Sequence, residues 1–263
     1  MTLVPVVVVK SIKNVVVHNL ARFDGEALSL VGLNLQAVIS LKQLPSDLTV
    51  QLNTSTDKFD HYSQLLLIGH GGSLLWQNVN RWKESYPSNH PIDDFSKFHV
   101  KDFLSKRFSS VDFEIIFPCV KQSFVNFQAL GQLAGWHHPS PFGLGINQHW
   151  GSWFAYRAVV LLKSRYLTTQ IEHSKSPCLS CKNRDCVQTC PAYALSGDKL
   201  DLNRCIAYRK QPESKCKDRC IARMACPAAK QHQYRLEQIQ YHYGRSMDTI
   251  NRSLDKEVRV RSL

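Results

Sequence analysis

The chain has 263 residues, 43% of them hydrophobic, and carries 33 lysines and arginines against 21 acids, a formal net charge of +12. Those values exclude a disordered or low-complexity chain and supply apolar material for one large domain or two modest ones. Nine cysteines are few for a secreted disulfide scaffold of this length, and eight of them fall between Cys178 and Cys226, a crowding that points to metal ligation in a reducing compartment.

In chain order, Leu3–Val9 is an apolar run with no basic residue ahead of it, too short to span a bilayer and without the layout of a signal peptide. No other stretch approaches a membrane helix, so a cytoplasmic protein without membrane association is expected. Leu3–Val9, Asn14–Ala21 and Leu28–Leu41 are rich in Val, Leu and Ile, and with the short runs Gln64–Ile68 and Phe113–Phe117 they predict strands. Leu75–Glu84, Phe95–Phe108 and Ser123–Trp136 space their aromatics and leucines three to four apart, as helices do. Gln170–Pro177 is polar, ends in proline and reads as a linker. The cysteine segment follows, and after it His232–Ser246 is a polar and aromatic helix able to pack back on the first part. The expected division is an α+β domain over residues 1–172 and a cysteine-bearing domain over residues 173–263.

The cysteines form two runs. The first is Cys178, Cys181, Cys186 and Cys190 in the spacing C-x2-C-x4-C-x3-C, closed by Pro191; the second is Cys205, Cys216, Cys220 and Cys226, closed by Pro227. In bacterial ferredoxins a similar run, with a shorter middle gap, wraps three thiolates around one [4Fe–4S] cubane while the cysteine before proline ligates the other cluster. That pseudo-two-fold pattern suggests Cys178, Cys181, Cys186 and Cys226 on one cluster and Cys190, Cys205, Cys216 and Cys220 on the other. Zinc is the alternative, because four thiolates also make a tetrahedral site; zinc ribbons, however, usually place their ligands as two separated C-x2-C knuckles. Fewer than 60 residues cannot bury a large core, and bound clusters would supply cross-links. Asp201 reads as the N-cap of a short helix presenting Cys205. Residues 178–263 hold 17 lysines and arginines against 9 acids, a net +8. Two clusters would cancel roughly half of that excess; the remaining reading is a basic surface for nucleic acid or an acidic partner.

With both C-P motifs in view, Cys178–Pro227 resembles the ferredoxin-type module of epoxyqueuosine reductases, including the stretch Asn203-Arg204-Cys205-Ile206-Ala207-Tyr208. Upstream, Ala134-Gly135-Trp136, Gly143-Leu144-Gly145-Ile146 and Gly151-Ser152-Trp153-Phe154 are similar to the segment those enzymes use beside cobalamin. The block from Gly151 through Tyr156 and Arg157 to Leu162 also resembles the core of CblC-type cobalamin-processing proteins, which have a nitroreductase-like α+β fold. Ser140-Pro141-Phe142-Gly143 together with Trp153-Phe154-Ala155-Tyr156-Arg157 is similar to a group of short proteobacterial 4Fe-4S proteins. The resemblance covers about residues 134–230. It implies two [4Fe–4S] clusters held by the eight cysteines and cobalamin, with FMN as the alternative, in the first domain. Gly143 and Gly145 would offer unobstructed backbone donors, Trp153 and Phe154 would point to opposite faces of a strand, and Arg157 would meet an amide or phosphate oxygen of the corrinoid tail. One departure counts against epoxyqueuosine reduction: Lys121 stands where those enzymes carry a proton-donating aspartate.

Four further features have bland counterparts. Gly69-His70-Gly71-Gly72 reads as a strand-to-helix turn, with close backbone approach to a ligand as the sharper alternative. His137, His138 and His149 with Trp136, Trp150 and Trp153 make either a flat wall for a macrocycle or an aromatic core edged by solvated histidines. Arg157, in an apolar strand, needs a carboxylate or an anionic cofactor group if buried. Cys119 reads as a small core residue. The sequence thus predicts an iron–sulfur oxidoreductase in which an external low-potential donor supplies electrons through two clusters to cobalamin, acting on a small-molecule or tRNA substrate. The alternatives are a ferredoxin-type carrier, a cobalamin escort, an epoxyqueuosine reductase acting on tRNA, or a zinc-stabilised nucleic-acid binder.

Overall fold

The computed structural model describes residues 20–118, 125–171 and 174–261. The expected strand Leu3–Val9, most of Asn14–Ala21, the isolated Cys119, Lys121 and the start of Ser123–Trp136 lie outside the described residues. What is described is a mixed helix-and-sheet fold. The elements of the first half are α1 (Glu26–Leu30), β1 (Leu35–Ser40), α2 (Ser46–Asn53), β2 (Gln64–Gly71), α3 (Leu74–Ser85), α4 (Pro91–Ser105) and β3 (Phe113–Phe117). They are followed by α5 (Phe127–Leu133), the two-residue strands β4 (His138–Pro139) and β5 (Gly145–Ile146), and the long strand β6 (Phe154–Leu162). The cysteine segment holds α6 (Asp185–Gln188), a small hairpin of β7 (Leu195–Ser196) and β8 (Lys199–Leu200), α7 (Leu202–Lys210) and α8 (Ile221–Ala225), and the chain closes in α9 (Leu236–Arg261).

Four strands form one sheet in the order β1-β2-β6-β3, with every neighbouring pair antiparallel. The two central strands are apolar on both faces because helices cover both. Val38, Leu66, Ile68, Ala158, Val160 and Leu162 pack with α1, α3 and α4, whereas Ala37, Ile39, Leu65, Leu67, Val159 and Leu161 pack with α2 and α5. Leu65 to Ile68 are fully buried, each contributing on the order of 1.5–3 kcal/mol by removal from water. This two-sided burial explains why those strands read as continuous apolar runs rather than as alternation.

The predicted strand Leu28–Leu41 is corrected at its start. Residues 26–30 are helical, Gly32 turns the chain with φ +92°, and only Leu35–Ser40 is extended. Leu28 and Leu33 are buried, so their apolar character belongs to a packed turn and not to a sheet face. The predicted helices are present as α3, α4 and α5; α4 begins on Pro91 with Asp93 and Asp94 in its first turn, both favourable at a helix N-terminus. Asn126 caps α5 by accepting from the Ala129 amide, and Asp201 caps α7 by accepting from the Arg204 amide. Just before the linker, Thr169 pairs with the outer edge of β1 through its backbone amide and its hydroxyl, both on Val38.

The cysteine segment packs on the sheet-bearing part rather than standing clear of it. Its apolar interior includes Phe142 and Ile146 from the β4–β5 hairpin, and Trp153 shares a small core with Tyr234 and Ile239. The closing helix is tied at both ends of this contact. Trp76 on α3 donates to Glu237 at 3.0 Å, and Arg209 on α7 donates to the carbonyls of Cys216, Lys217 and Tyr243 and to the hydroxyl of Ser246. Arg209 is buried, so each of those acceptors depends on it. Arg209→Ala is expected to lower the stability of the purified chain by about 2–4 kcal/mol in denaturant titration, and Arg209→Lys to recover little, because an ammonium cannot reach four acceptors from one planar fork.

Candidate cofactor cavity and cysteine sites

The eight cysteines of the segment are free thiols divided between two cavities. Cys178 sits in a short turn of helix at Pro177–Leu179, Cys186 on α6 and Cys226 directly after α8; with Cys181 they line a cavity of about 310 Å3. Cys190 follows α6, Cys205 lies on α7, and Cys220 caps α8 with its sulfur on the Arg223 amide; with Cys216 they line a second cavity of about 170 Å3. No cysteine lines both, and the grouping is the one the two C-P runs suggest. Among the described residues no three His, Cys, Asp or Glu side chains converge closely enough to hold a single metal ion. Burial, followed by the neighbouring Cys226, Cys178 and Cys181, pushes the Cys186 thiol up to about 11. Burial also raises Cys178, Cys205, Cys216, Cys220 and Cys226. Thiols in that state need a cationic guest to become thiolates.

A third and larger cavity, about 690 Å3, lies where β6 meets the α5 region and α9. Its position follows from a bulge. Ile68 pairs with Ala158 but Gly69 pairs with Tyr156, which leaves Arg157 as the extra residue on β6. Phe154, Ala155, Tyr156 and Arg157 therefore all line the cavity, instead of alternate residues as on a regular strand. One wall is aromatic: Tyr156 stacks between Phe127 at 5.5 Å and Trp136 at 6.4 Å, and its hydroxyl lies 3.1 Å from Nδ1 of His137. Burial holds His137 below the ordinary imidazole range and Tyr156 above the ordinary phenol range, so a neutral phenol and a neutral ring share this hydrogen bond. Glycines make room for both partners, since a Cβ at Gly131 would collide with the Tyr156 hydroxyl and one at Gly145 with Nδ1 of His137.

The other wall is cationic. Arg157 donates from Nε to Nδ1 of His70 at 3.1 Å and has Asp93 at 3.7 Å. Arg223 donates to the carbonyl and hydroxyl of Ser152 and lies over the rings of Trp153 and Tyr234, and it has no carboxylate partner among the described residues. Tyr234, His242 and Tyr243 complete this wall. The three cavities adjoin in succession: Phe142 borders both cysteine cavities, and Leu144 and Tyr243 border the second cysteine cavity and the large one.

Of the sequence candidates, Gly145, Phe154 and Arg157 line the large cavity. Gly143 and Trp153 do not. Gly143 occupies a turn with φ +76°, where a Cβ would meet Leu200 at 2.8 Å, and Trp153 points to the opposite side of β6 from Phe154, fully buried. Of the expected histidine and tryptophan wall only His137 lines the cavity; Trp150 packs on His232 and His149, and His138 bonds Ser174. His70 belongs to β2 and not to a turn, and the glycine after it admits the Trp150 ring in place of a ligand. The residues sequence reasoning missed, Tyr156, Arg223, Tyr234, His242 and Tyr243, share no motif and come together only when α9 closes over the sheet.

No protein-family model matches the chain, and no curated protein matches it. Among solved structures, the fold is similar to epoxyqueuosine reductase from Bacillus subtilis, with a TM-score of 0.47 and 14% identity over 80% of this chain and 66% of that one. An epoxyqueuosine reductase solved with a modified tRNA stem loop gives a TM-score of 0.48 and 15% identity over 82% of this chain and 66% of that one. The C. elegans B12-trafficking protein CblC gives 0.46 and 15% identity over 83% and 88% of the two chains. The chain thus spans just under two thirds of the length of the reductases in the first two comparisons.

The cationic wall has a consequence for acid stability. Burial, aided by Arg157 and Arg223, holds His242 down to about 3 from an ordinary 6.5, and burial with Arg157 holds His70 well below its usual range. The unfolded chain takes up these protons near pH 6.5 whereas the folded chain does not, so stability is full above pH 6.5 and falls as pH drops towards 3. Each histidine steepens the fall by up to about 1.4 kcal/mol per pH unit. Denaturant titrations at descending pH are expected to show that slope, and His242→Gln to reduce it by about one proton.

Proposed function

We propose that this protein is an iron–sulfur redox protein in which Cys178, Cys181, Cys186 and Cys226 hold one [4Fe–4S] cluster and Cys190, Cys205, Cys216 and Cys220 hold a second. The observation that carries the reading is the division of eight thiols into two sets of four around separate cavities, the second of which shares Leu144 and Tyr243 with the cavity of about 690 Å3. A multi-iron guest suits the first run better than a single zinc ion, because four closely spaced cysteines closed by proline follow the ferredoxin pattern and not two separated C-x2-C knuckles. The reading favours a cobalamin-type corrinoid, with FMN as the alternative, in the large cavity. Its volume falls in the range of cofactor sites, its aromatic wall is flat, and the block Trp136–Arg157 that builds it carries the sequence resemblance to corrinoid-using families.

When bound, the clusters supply low-potential one-electron transfer and the corrinoid a reducible metal. The chain's own residues do the rest. The first cysteine set lies beside the exposed Leu179, where an external electron donor can approach, while Phe142, Leu144 and Tyr243 place apolar and aromatic groups between that set and the large cavity. Tyr156 and His137 hold an exchangeable proton at the aromatic wall, and Arg157 and Arg223 favour negative charge at the other. The reaction class is reduction of a small molecule or of a nucleoside within tRNA.

Anaerobically reconstituted protein is expected to hold about eight irons and eight sulfides per chain. Cys226→Ala is expected to remove the signals of the cluster shared with Cys178, Cys181 and Cys186, and Cys190→Ala those of the other. Saturation at half the iron content, or full signals from both clusters in either variant, would overturn the assignment. The cofactor is tested separately by anaerobic titration with cob(II)alamin, read by absorption and paramagnetic resonance. Wild type should show a saturable change and Gly145→Val should lose it with its iron retained, because a side chain there displaces His137. Gly143→Val is the poorer probe, since it presses on Leu200 beside the second cysteine set. A wild type without any spectral response would leave an iron–sulfur electron carrier.

A further inference from the structure

The interior of the cationic wall contains a chain of hydrogen bonds whose direction is determined from one end. Arg157 has only donors, so the bond from its Nε to Nδ1 of His70 places a lone pair on Nδ1. His70 is completely buried, and burial together with Arg157, His242 and Arg223 keeps its ring neutral. The ring hydrogen is therefore on Nε2, which lies 3.0 Å from the hydroxyl of Tyr234 and donates to it. Arg223 lies over the Tyr234 ring, its guanidinium carbon 5.3 Å from the ring centroid. With its oxygen accepting the His70 hydrogen, Tyr234 has its own hydrogen left to donate. Among the described residues nothing accepts it, although Tyr234 is only 3% exposed and lines the large cavity. Burial pushes this phenol up to about 12, so the hydrogen is retained at neutral pH. A buried O–H without an acceptor is costly unless something in the cavity supplies one.

We infer that Tyr234 is a ligand-binding residue that donates its phenolic hydrogen to an oxygen atom carrying or acquiring negative charge, with His70 and Arg157 acting as positioning residues. The class of ligand is a substrate with a carbonyl, enolate or phenolate-like oxygen, seated with its apolar part towards Phe154 and Tyr156. Two features select this class. The guanidiniums of Arg157 and Arg223 set a positive field at this end of the cavity, and a donor already accepting a hydrogen bond from His70 is polarised towards giving its own. Nδ1 of His70 is committed to Arg157, so rotation of the imidazole to accept from Tyr234 would leave the guanidinium Nε–H unpaired inside the protein. The inference rests on the large cavity being a ligand site, as in the reading above, but uses neither clusters nor corrinoid.

The test uses the full iron-loaded chain without added corrinoid and a set of substituted phenolates of equal charge and similar size, titrated calorimetrically above all of their pKa values. Attraction to the arginines alone holds these anions equally; a hydrogen bond from Tyr234 holds the more basic ones more tightly. Wild type is expected to show affinity rising with phenolate basicity. Tyr234→Phe is expected to lose that trend and to bind the most basic member about tenfold to a hundredfold more weakly. His70→Leu should flatten the trend as well, whereas His70→Gln should keep it, because an amide can accept from Arg157 and donate to Tyr234. Unchanged affinities in Tyr234→Phe, identical trends in the two His70 variants, or no phenolate binding by wild type would each overturn the inference. The iron count and the cob(II)alamin titration stand apart from these outcomes, so failure here is distinguishable from failure of the proposed function.

Discussion

Arg157 is a permanent cation on a central strand of an apolar sheet, and much of this protein's architecture answers it. A guanidinium in that position needs partners on every side. The bulge on β6 aims it at the cavity, His70 on β2 receives its Nε–H, and Asp93 at the start of α4 supplies the nearest opposite charge. His70 then requires a partner for its other nitrogen, and Tyr234 arrives from beyond the cysteine segment to provide it. One buried charge thus couples the sheet, a covering helix and the closing segment across 164 positions of sequence, and it leaves a wall where anionic groups are favoured.

The cysteine segment answers a different constraint. It is too short to build an apolar core of its own, so it borrows Phe142 and Ile146 from the β4–β5 hairpin and relies on α9 as a clamp. Arg209 closes that clamp by serving carbonyls on both sides of it. The same borrowing brings the cavity of the second thiol set next to the large cavity, because Leu144, which lines both, follows Phe142 and Gly143 in the borrowed loop. Proximity of the thiol sets to the cavity is therefore a by-product of core formation. The glycines serve the same economy of space: Gly131 and Gly145 are small so that Tyr156 and His137 can meet, and Gly71 is small so that Trp150 can cover it.

The amino-acid sequence by itself determined the features that depend on local spacing. The eight cysteines and their two C-P closures, the Asp201 cap and the strands Gln64–Ile68 and Phe113–Phe117 are periodic or contiguous signals that neighbouring residues generate. The helices α3 and α4 belong with them, as does the need of Arg157 for a partner. Tertiary structure decided everything that depends on which distant side chains meet. Whether Trp153 or Phe154 faces the cavity turns on strand orientation; that Tyr156 and Arg157 both do so turns on a bulge, which leaves no mark in hydropathy. The Leu28–Leu41 run was divided into helix and strand by the turn at Gly32, where packing of Leu28 and Leu33 overrides β propensity. Tyr234, His242 and Arg223 became cavity residues only because α8 and α9 close over the sheet. Long-range contacts of this kind are fixed by the shape of the whole core, and no short window of sequence contains them.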